Sequence, residues 1–220
     1  MARLELVIGN KNYSSWSLRA WILLSHAGLE FSETVIPLFT TGSEEQLGEV
    51  TPAGLVPVLF IDGETVWDSL AISETIADFF PEKKLWPEDK YSRAVARSVS
   101  AEMHSGFFHL RNALPMNCRQ VKETEYLSHD VQTDIRRITA IWNSCRERFA
   151  ELGPWLFGHY TVADAMYAPV ASRFNSYQIK LDGEAQKYVN TVINDPLMKQ
   201  WYADATQEVW KIAASDEPFQ

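Results

Sequence analysis

The chain has 220 residues, enough for one large domain or two small ones, and 46% of them are hydrophobic, as expected of a globular protein with a real core. Charged residues make up 22%, without long single-sign blocks, and the formal net charge is −9. That balance argues against wholesale disorder, against a nucleic-acid binder, which needs clustered cations for phosphates, and against binding to an anionic membrane surface. Two cysteines, Cys118 and Cys145, form no CxxC pair, and five histidines show no HxxxH or HExxH spacing, so neither a disulfide framework nor a metal site is expected. No apolar run is long enough to span a membrane or to resemble a secretory leader.

In chain order, Leu4 to Ile8 reads as a half-buried strand, and Ser14 to His26 reads as a helix stopped by Gly28. Phe31 to Leu38 reads as a second strand. Ser43-Glu44-Glu45-Gln46 is a capping-box pattern that would open a short polar helix. Val56 to Ile61 and Glu64 to Trp67 flank Asp62-Gly63, the type I′ turn signal of a hairpin. Leu70, Ile72, Ile76 and Phe79 mark a helix over 69–79. This β-α-β-α-β-β-α order fills about 80 residues, too short for a doubly wound nucleotide fold.

Pro81-Glu82-Lys83-Lys84-Leu85-Trp86-Pro87 then reads as a charged linker, and the rest reads as helical. The domain plan is residues 1–81 as an α/β unit, 82–88 as linker and 89–220 as an all-α helical bundle. Val131, Ile135, Ile138, Trp142, Cys145, Phe149 and Leu152 trace one face of a long helix, with Cys145 as a small core residue and Gly153-Pro154 as its end. Thr161-Val162-Ala163-Asp164 is a capping box with Asp in place of Glu, and Pro169 is expected to kink the helix that follows.

Ser14-Ser15-Trp16-Ser17 lies where a strand hands over to a helix. A helix start offers free N–H groups and partial positive charge, so it favours an anion, and a serine hydroxyl can donate to it as well. The competing role for Ser14 is simple N-capping. Asp68-Ser69 presents the same choice at the next helix start. Pro57 suits either a trans strand-opening position or a cis peptide. Arg19 reads as a solvated surface residue, with support of an anion as the alternative. In Glu102 to Arg111, His104, Phe108 and Arg111 share one helical face and suit an anionic, partly apolar substrate; the alternative is that Met103, Phe107 and Leu110 form the core stripe and the neighbouring face is simply solvated.

Four motifs in order, Ser14-Ser15-Trp16-Ser17, Val56-Pro57, Asp68-Ser69 and Thr161-Val162-Ala163-Asp164, together with the α/β-then-helical plan, resemble the cytosolic glutathione transferase superfamily along nearly the whole chain. The serine-using zeta (maleylacetoacetate isomerase) class, with SSCS where this chain has SSWS, is the nearest in pattern. The resemblance implies a thioredoxin-like N-terminal domain, an all-α C-terminal domain, a homodimer, a cytoplasmic location and glutathione as co-substrate. It implies Ser14 as catalytic donor to the thiolate, with Ser15 as nearest rival and Tyr13 third, and Val56, Pro57, Asp68 and Ser69 as the glutathione anchors. It places Tyr13, His104, Phe108 and Arg111 at the electrophile site. The implied function is thiol transfer to a small electrophile. The alternatives are a glutathione-dependent cis–trans isomerase and a non-catalytic binding protein of the same fold. The chain departs from the zeta pattern at Gly54-Leu55, where the class has polar residues, and at Trp16.

Overall fold

The computed structural model describes residues 2–124 and 126–217. Strand β1 (Leu4–Ile8) pairs in parallel with β2 (Ser32–Val35) and antiparallel with β3 (Val58–Ile61), which pairs antiparallel with β4 (Glu64–Trp67). The order is β2-β1-β3-β4. Alternation along the strands covers both faces of this sheet. Leu4, Leu6, Ile8, Leu59 and Ile61 join the main core, while Val7 and Val58 turn to a smaller cluster with Ile36 and Leu47. Helices α1 (Ser15–His26) and α3 (Ser69–Phe79) pack together, and α2 (Ser43–Val50) supplies Leu47 to the other face. The β3–β4 turn has positive φ at both Asp62 (52°) and Gly63 (94°), as a type I′ turn requires.

The second half is helical: α4 (Lys90–Ser105), α5 (Phe108–Ala113), α6 (His129–Phe149), α7 (Val162–Ser176), α8 (Gly183–Asn194), α9 (Pro196–Gln207) and α10 (Ala213–Asp216). Helix α7 is buried on nearly every side and packs against α1, α4 and α8, so it lacks a polar face. The main core runs without a break from the sheet into these helices. The fold is a thioredoxin-like α/β unit followed by a helical unit.

The structure corrects several expectations. β2 covers only Ser32–Val35, because Pro37 has no N–H for a ladder and the chain turns at Phe39 (φ 58°). Ser43 is the first helical residue of α2 rather than its cap; Gly42 (φ 84°) holds the cap position and the Ser43 hydroxyl donates to Thr40 O. Helix α6 stops at Phe149 and tightens into a 3-10 turn over Ala150–Leu152, which rotates Leu152 off the apolar face to 73% exposure. Helix α7 runs through Pro169 to Ser176, and Arg173 Nη1 donates to Pro169 O (3.2 Å).

The capping box of α7 forms as read. Asp164 accepts from Thr161 N (2.9 Å), and it also accepts from Thr161 Oγ1 (3.0 Å), Leu156 N (3.0 Å) and Tyr188 Oη (3.1 Å). It is buried, and burial pushes its carboxyl above the ordinary carboxylate range. Asp164→Ala would strand several buried donors at once. The expected loss is about 3 kcal/mol or more, a fall in Tm of roughly 6–12 °C by thermal unfolding, with Asp164→Asn less severe because one acceptor oxygen remains.

Candidate active site

The site grows from three segments that meet beside the sheet. The first is the β1–α1 junction. Asn10 O accepts from Tyr13 N (3.1 Å) and Ser14 N (2.8 Å), which turns the chain into the helix. Ser14 is the N-cap of α1, its Oγ accepting from Ser17 N at 3.4 Å and lying 2.7 Å from Ser17 Oγ. Ser15 Oγ accepts from Arg173 Nη2 (3.3 Å).

The second segment enters β3. The Val56–Pro57 peptide is cis, and Ala53 and Leu55 lie just before it. The third is the start of α3. Asp68 has φ 73°, ψ 131°, an unfavourable backbone for a residue with a β-carbon. Its Oδ1 caps α3 by accepting from Leu70 N (2.9 Å) and Ala71 N (3.2 Å), while Oδ2 pairs with His104 Nε2 at 2.6 Å. Ser69 follows, buried, its hydroxyl without a partner among the described residues.

These segments surround a cavity of about 510 Å³. Trp16, Val56, Pro57, Asp68, Ser69 and Trp67 line it from the α/β unit, and His104 and Arg111 from the helical unit. Six of the ten residues expected at the site thus share one cavity. Ser14 and Ser15 do not line it; their neighbour Trp16 does. Tyr13 turns away: its hydroxyl donates to Asp216 (2.9 Å) and accepts from Arg119 Nη2 (2.8 Å). Phe108 is 61% exposed and lies outside the cavity.

The expected single helical face of His104, Phe108 and Arg111 is corrected. Helix α4 ends at Ser105, Gly106 caps it, and Phe107 (φ 56°) reverses the chain before α5. A β-carbon at Gly106 would sit 2.7 Å from Glu102 O, so the break is tied to that glycine. His104 and Arg111 meet all the same, with Arg111 Nη1 donating to His104 O (3.3 Å).

Arg19 also departs from expectation. It is fully buried; its Nε donates to Met166 O (2.9 Å), its Nη1 to Ser15 O (3.0 Å), and its Nη2 has no partner. The Trp16 ring stacks near both Arg19 (4.4 Å) and Arg111 (5.2 Å) and meets His104 edge-on. Burial, and then the charges of Arg173 and Arg111, lower the pKa of Arg19 well below its ordinary value. Burial likewise brings Arg173 down to about 10. The sequence reading missed Arg173 and the inward turn of Arg19; the available signal was an arginine set in an otherwise apolar helix, Ala163 to Phe174. Among the described residues no cluster of His, Cys, Asp and Glu could hold a metal ion.

The glutathione S-transferase N-terminal domain family matches residues 13–78, from the hydroxyl-bearing loop through α3. The matched segment, residues 13–78, is a glutathione S-transferase N-terminal domain. It is 29% identical over 167 residues to a probable maleylacetoacetate isomerase of Caenorhabditis elegans, covering 74% of this chain and 77% of that one. It is 35% identical over 102 residues to maleylacetoacetate isomerase of Rattus norvegicus, covering 45% and 47%, so the match reaches about half of that relative. It is 26% identical to glutathione S-transferase Z2 of Arabidopsis thaliana over 78% of this chain and 80% of that one. A Burkholderia glutathione transferase homologue solved with bound glutathione superposes with a TM-score of 0.71 at 20% identity, over 94% of this chain and all of that one. A glutathione S-transferase of Bombyx mori superposes equally well, with a TM-score of 0.71 at 18% identity, over 92% of this chain and 94% of that one.

The Asp68 backbone and cap can be separated experimentally. Asp68→Asn keeps an oxygen for Leu70 N and Ala71 N, and asparagine tolerates positive φ, so Tm is expected to fall by no more than about 2 °C. Asp68→Val loses the cap and puts a β-branched residue at φ 73°. The expected cost is about 2–4 kcal/mol, read as a clearly larger drop in Tm.

Proposed function

We propose that this protein is a glutathione transferase that ionises the glutathione thiol for attack on a small, anionic or partly apolar electrophile. The supporting observation is the shared cavity, where the unpartnered Ser69 hydroxyl at a helix start, the cis Val56–Pro57 peptide and the Asp68 carboxylate face Arg111 and His104. In this reading the backbone of Val56 pairs with the tripeptide backbone. Ser69 and the start of α3 receive the γ-glutamyl carboxylate, and Asp68 faces the ammonium group. Ser14 stays protonated and donates a hydrogen bond to the sulfur, whose own proton leaves to solvent, and Ser15 is its rival.

The energetics suit a serine. A free thiol of pKa about 8.5 is only about 3% ionised at pH 7. A shift of about two units takes roughly 2.7 kcal/mol. One hydrogen bond to the charged sulfur contributes about 1.5–3 kcal/mol, and the helix end adds about 0.3–1. The thiolate then attacks an electrophilic carbon, and the leaving group departs with the bonding pair. Arg111, which lines the cavity, favours an electrophile that carries a carboxylate.

That cationic pocket, with the names of the curated relatives, favours a second reading: cis–trans isomerisation of a dicarboxylate such as maleylacetoacetate by reversible thiolate addition. Gly54 and Leu55, which offer no side-chain donor to the ligand, weigh against it. A homodimer in the cytoplasm belongs to the same proposal, by likeness to the superfamily; two free cysteines, Cys118 and Cys145, suit a reducing compartment.

Glutathione binding followed by conjugation of an aryl halide separates enzyme from silent binder, and turnover of maleylacetoacetate tests the isomerase. Ser14→Ala is expected to lower kcat by about 10–100-fold and to leave glutathione affinity nearly intact. The opposite pattern, lost affinity with unchanged turnover, would make Ser14 an anchor. Ser69→Ala is expected to weaken glutathione binding about 10-fold by calorimetry. Arg111→Ala is expected to raise KM for a carboxylate-bearing electrophile about 10-fold while sparing a neutral one.

A further inference from the structure

Ser17 sits one helical turn beyond Ser14 and is wholly buried, at 0% exposure. Its hydroxyl accepts from Gly9 N at 3.0 Å, at the end of β1. A hydroxyl carries one proton and accepts through two lone pairs. The Ser17 proton therefore needs an acceptor, and Ser14 Oγ, 2.7 Å away, is the one within reach among the described residues. That distance is an ordinary O–H···O hydrogen bond, across which only one of the two hydroxyls can donate.

The two orientations are not equivalent. Were Ser14 the donor, the Ser17 proton would be buried with nothing to receive it, and a buried unpaired donor is costly. Either orientation leaves one hydroxyl proton unpaired, and with Ser17 as donor across the 2.7 Å contact that proton belongs to Ser14, whose Oγ also accepts from Ser17 N. Ser14, at 7% exposure, is the member of the pair that keeps some access to solvent. The chain of donors then runs in one direction, from Gly9 N–H to the Ser17 hydroxyl to the Ser14 hydroxyl, each bond polarising the next.

We propose that Ser17 is a positioning residue: by donating to Ser14 Oγ it holds the Ser14 hydroxyl with its proton free for the glutathione sulfur. This rests on the reading of Ser14 as the thiolate donor. It also separates Ser14 from Ser15, whose oxygen is held by Arg173 and takes no part in the relay.

The test is a pH titration of the thiolate absorbance of bound glutathione in the intact protein, for wild type, Ser14→Ala, Ser17→Ala and Ser17→Cys, with glutathione Kd and kcat measured alongside. Ser14→Ala is expected to return the thiol to its pKa in free solution. Ser17→Ala is expected to raise the bound thiol pKa by about 0.5–1 unit and to lower kcat about 3–10-fold, with Kd within twofold of wild type. Ser17→Cys keeps nearly the same volume with a much weaker donor; it is expected to shift the pKa in the same direction, and it carries the test if Ser17→Ala does not fold. A Ser17 variant that folds and binds glutathione with the wild-type thiol pKa, while Ser14→Ala raises it, overturns the proposal and leaves Ser17 a structural residue. An unshifted pKa in Ser14→Ala overturns the underlying reading of Ser14 instead, and the proposal with it.

Discussion

The β1–α1 loop is gripped by the helical half of the chain, and the position of every hydroxyl at the helix start depends on that grip. Residues 10–13 have little ladder of their own, so their polar groups need other partners. The Glu208 carboxylate accepts from Lys11 N and Asn12 N, and Trp201 Nε1 donates to Lys11 O. Cys118 N donates to Asn12 O, and the Asn12 side chain bonds Asn117 and Arg119 N. Tyr13, which the sequence suggested for the electrophile site, instead ties the loop to Asp216 in α10. Loss of the helical half would leave this loop with its backbone groups in water and Ser14 without a fixed place. The cavity at the junction of the two units is therefore a product of both, as ligand sites between packed units commonly are.

The electrostatics of the same junction are one-sided. Lys11, although nearly buried, has two carboxylates, Glu33 at 2.8 Å and Asp204 at 2.7 Å. Arg19 and Arg173 have none. They spend their donors on carbonyl oxygens of Met166, Ser15, Leu114 and Pro169 and on the Ser15 hydroxyl. Carbonyl dipoles satisfy hydrogen bonding without cancelling charge, so these two buried guanidinium groups are not neutralised, and their charges act on one another and on Arg111, which lines the cavity. Burial lowers their pKa, yet at about 10 Arg173 remains protonated at neutral pH.

Much of this was legible in the sequence because it rests on local rules. The Asp62-Gly63 turn, the Thr161–Asp164 box and the cap at Asp68 are each set by a few adjacent residues, and each appears where it was read. Other features depend on contacts that local patterns do not contain. The periodicity from Glu102 to Arg111 runs straight through Gly106, but packing of Phe107 and Leu110 into the core breaks the helix there and turns Phe108 outward. Arg19 looked solvated because arginine usually is; its burial follows from α7 lying across α1, a long-range fact. Leu152 kept step with the stripe of α6 in number only, since a 3-10 turn advances the chain by a different angle per residue. The relay through Ser17 lay within a motif already singled out, but its direction required knowing that Gly9 N–H already occupies one side of that oxygen.

The composition of the cavity wall bears on how a bound tripeptide would be held. At the α3 end there are several polar groups: a free Ser69 hydroxyl, the Asp68 carboxylate and a helix start. At the β3 entrance, Ala53, Gly54 and Leu55 contribute only backbone, and Leu55 is largely exposed. On the proposed binding mode the γ-glutamyl end is therefore anchored through side chains and the rest through the Val56 backbone alone. Affinity then depends on few contacts. Trp16 alters the other wall. Where the zeta pattern has a small cysteine, an indole ring lies close to two guanidinium groups and against His104, and on the proposed reading it would offer the second substrate a flat aromatic surface beside positive charge. A planar electrophile with a carboxylate at its edge complements that wall in both shape and charge, whereas a compact neutral one uses neither.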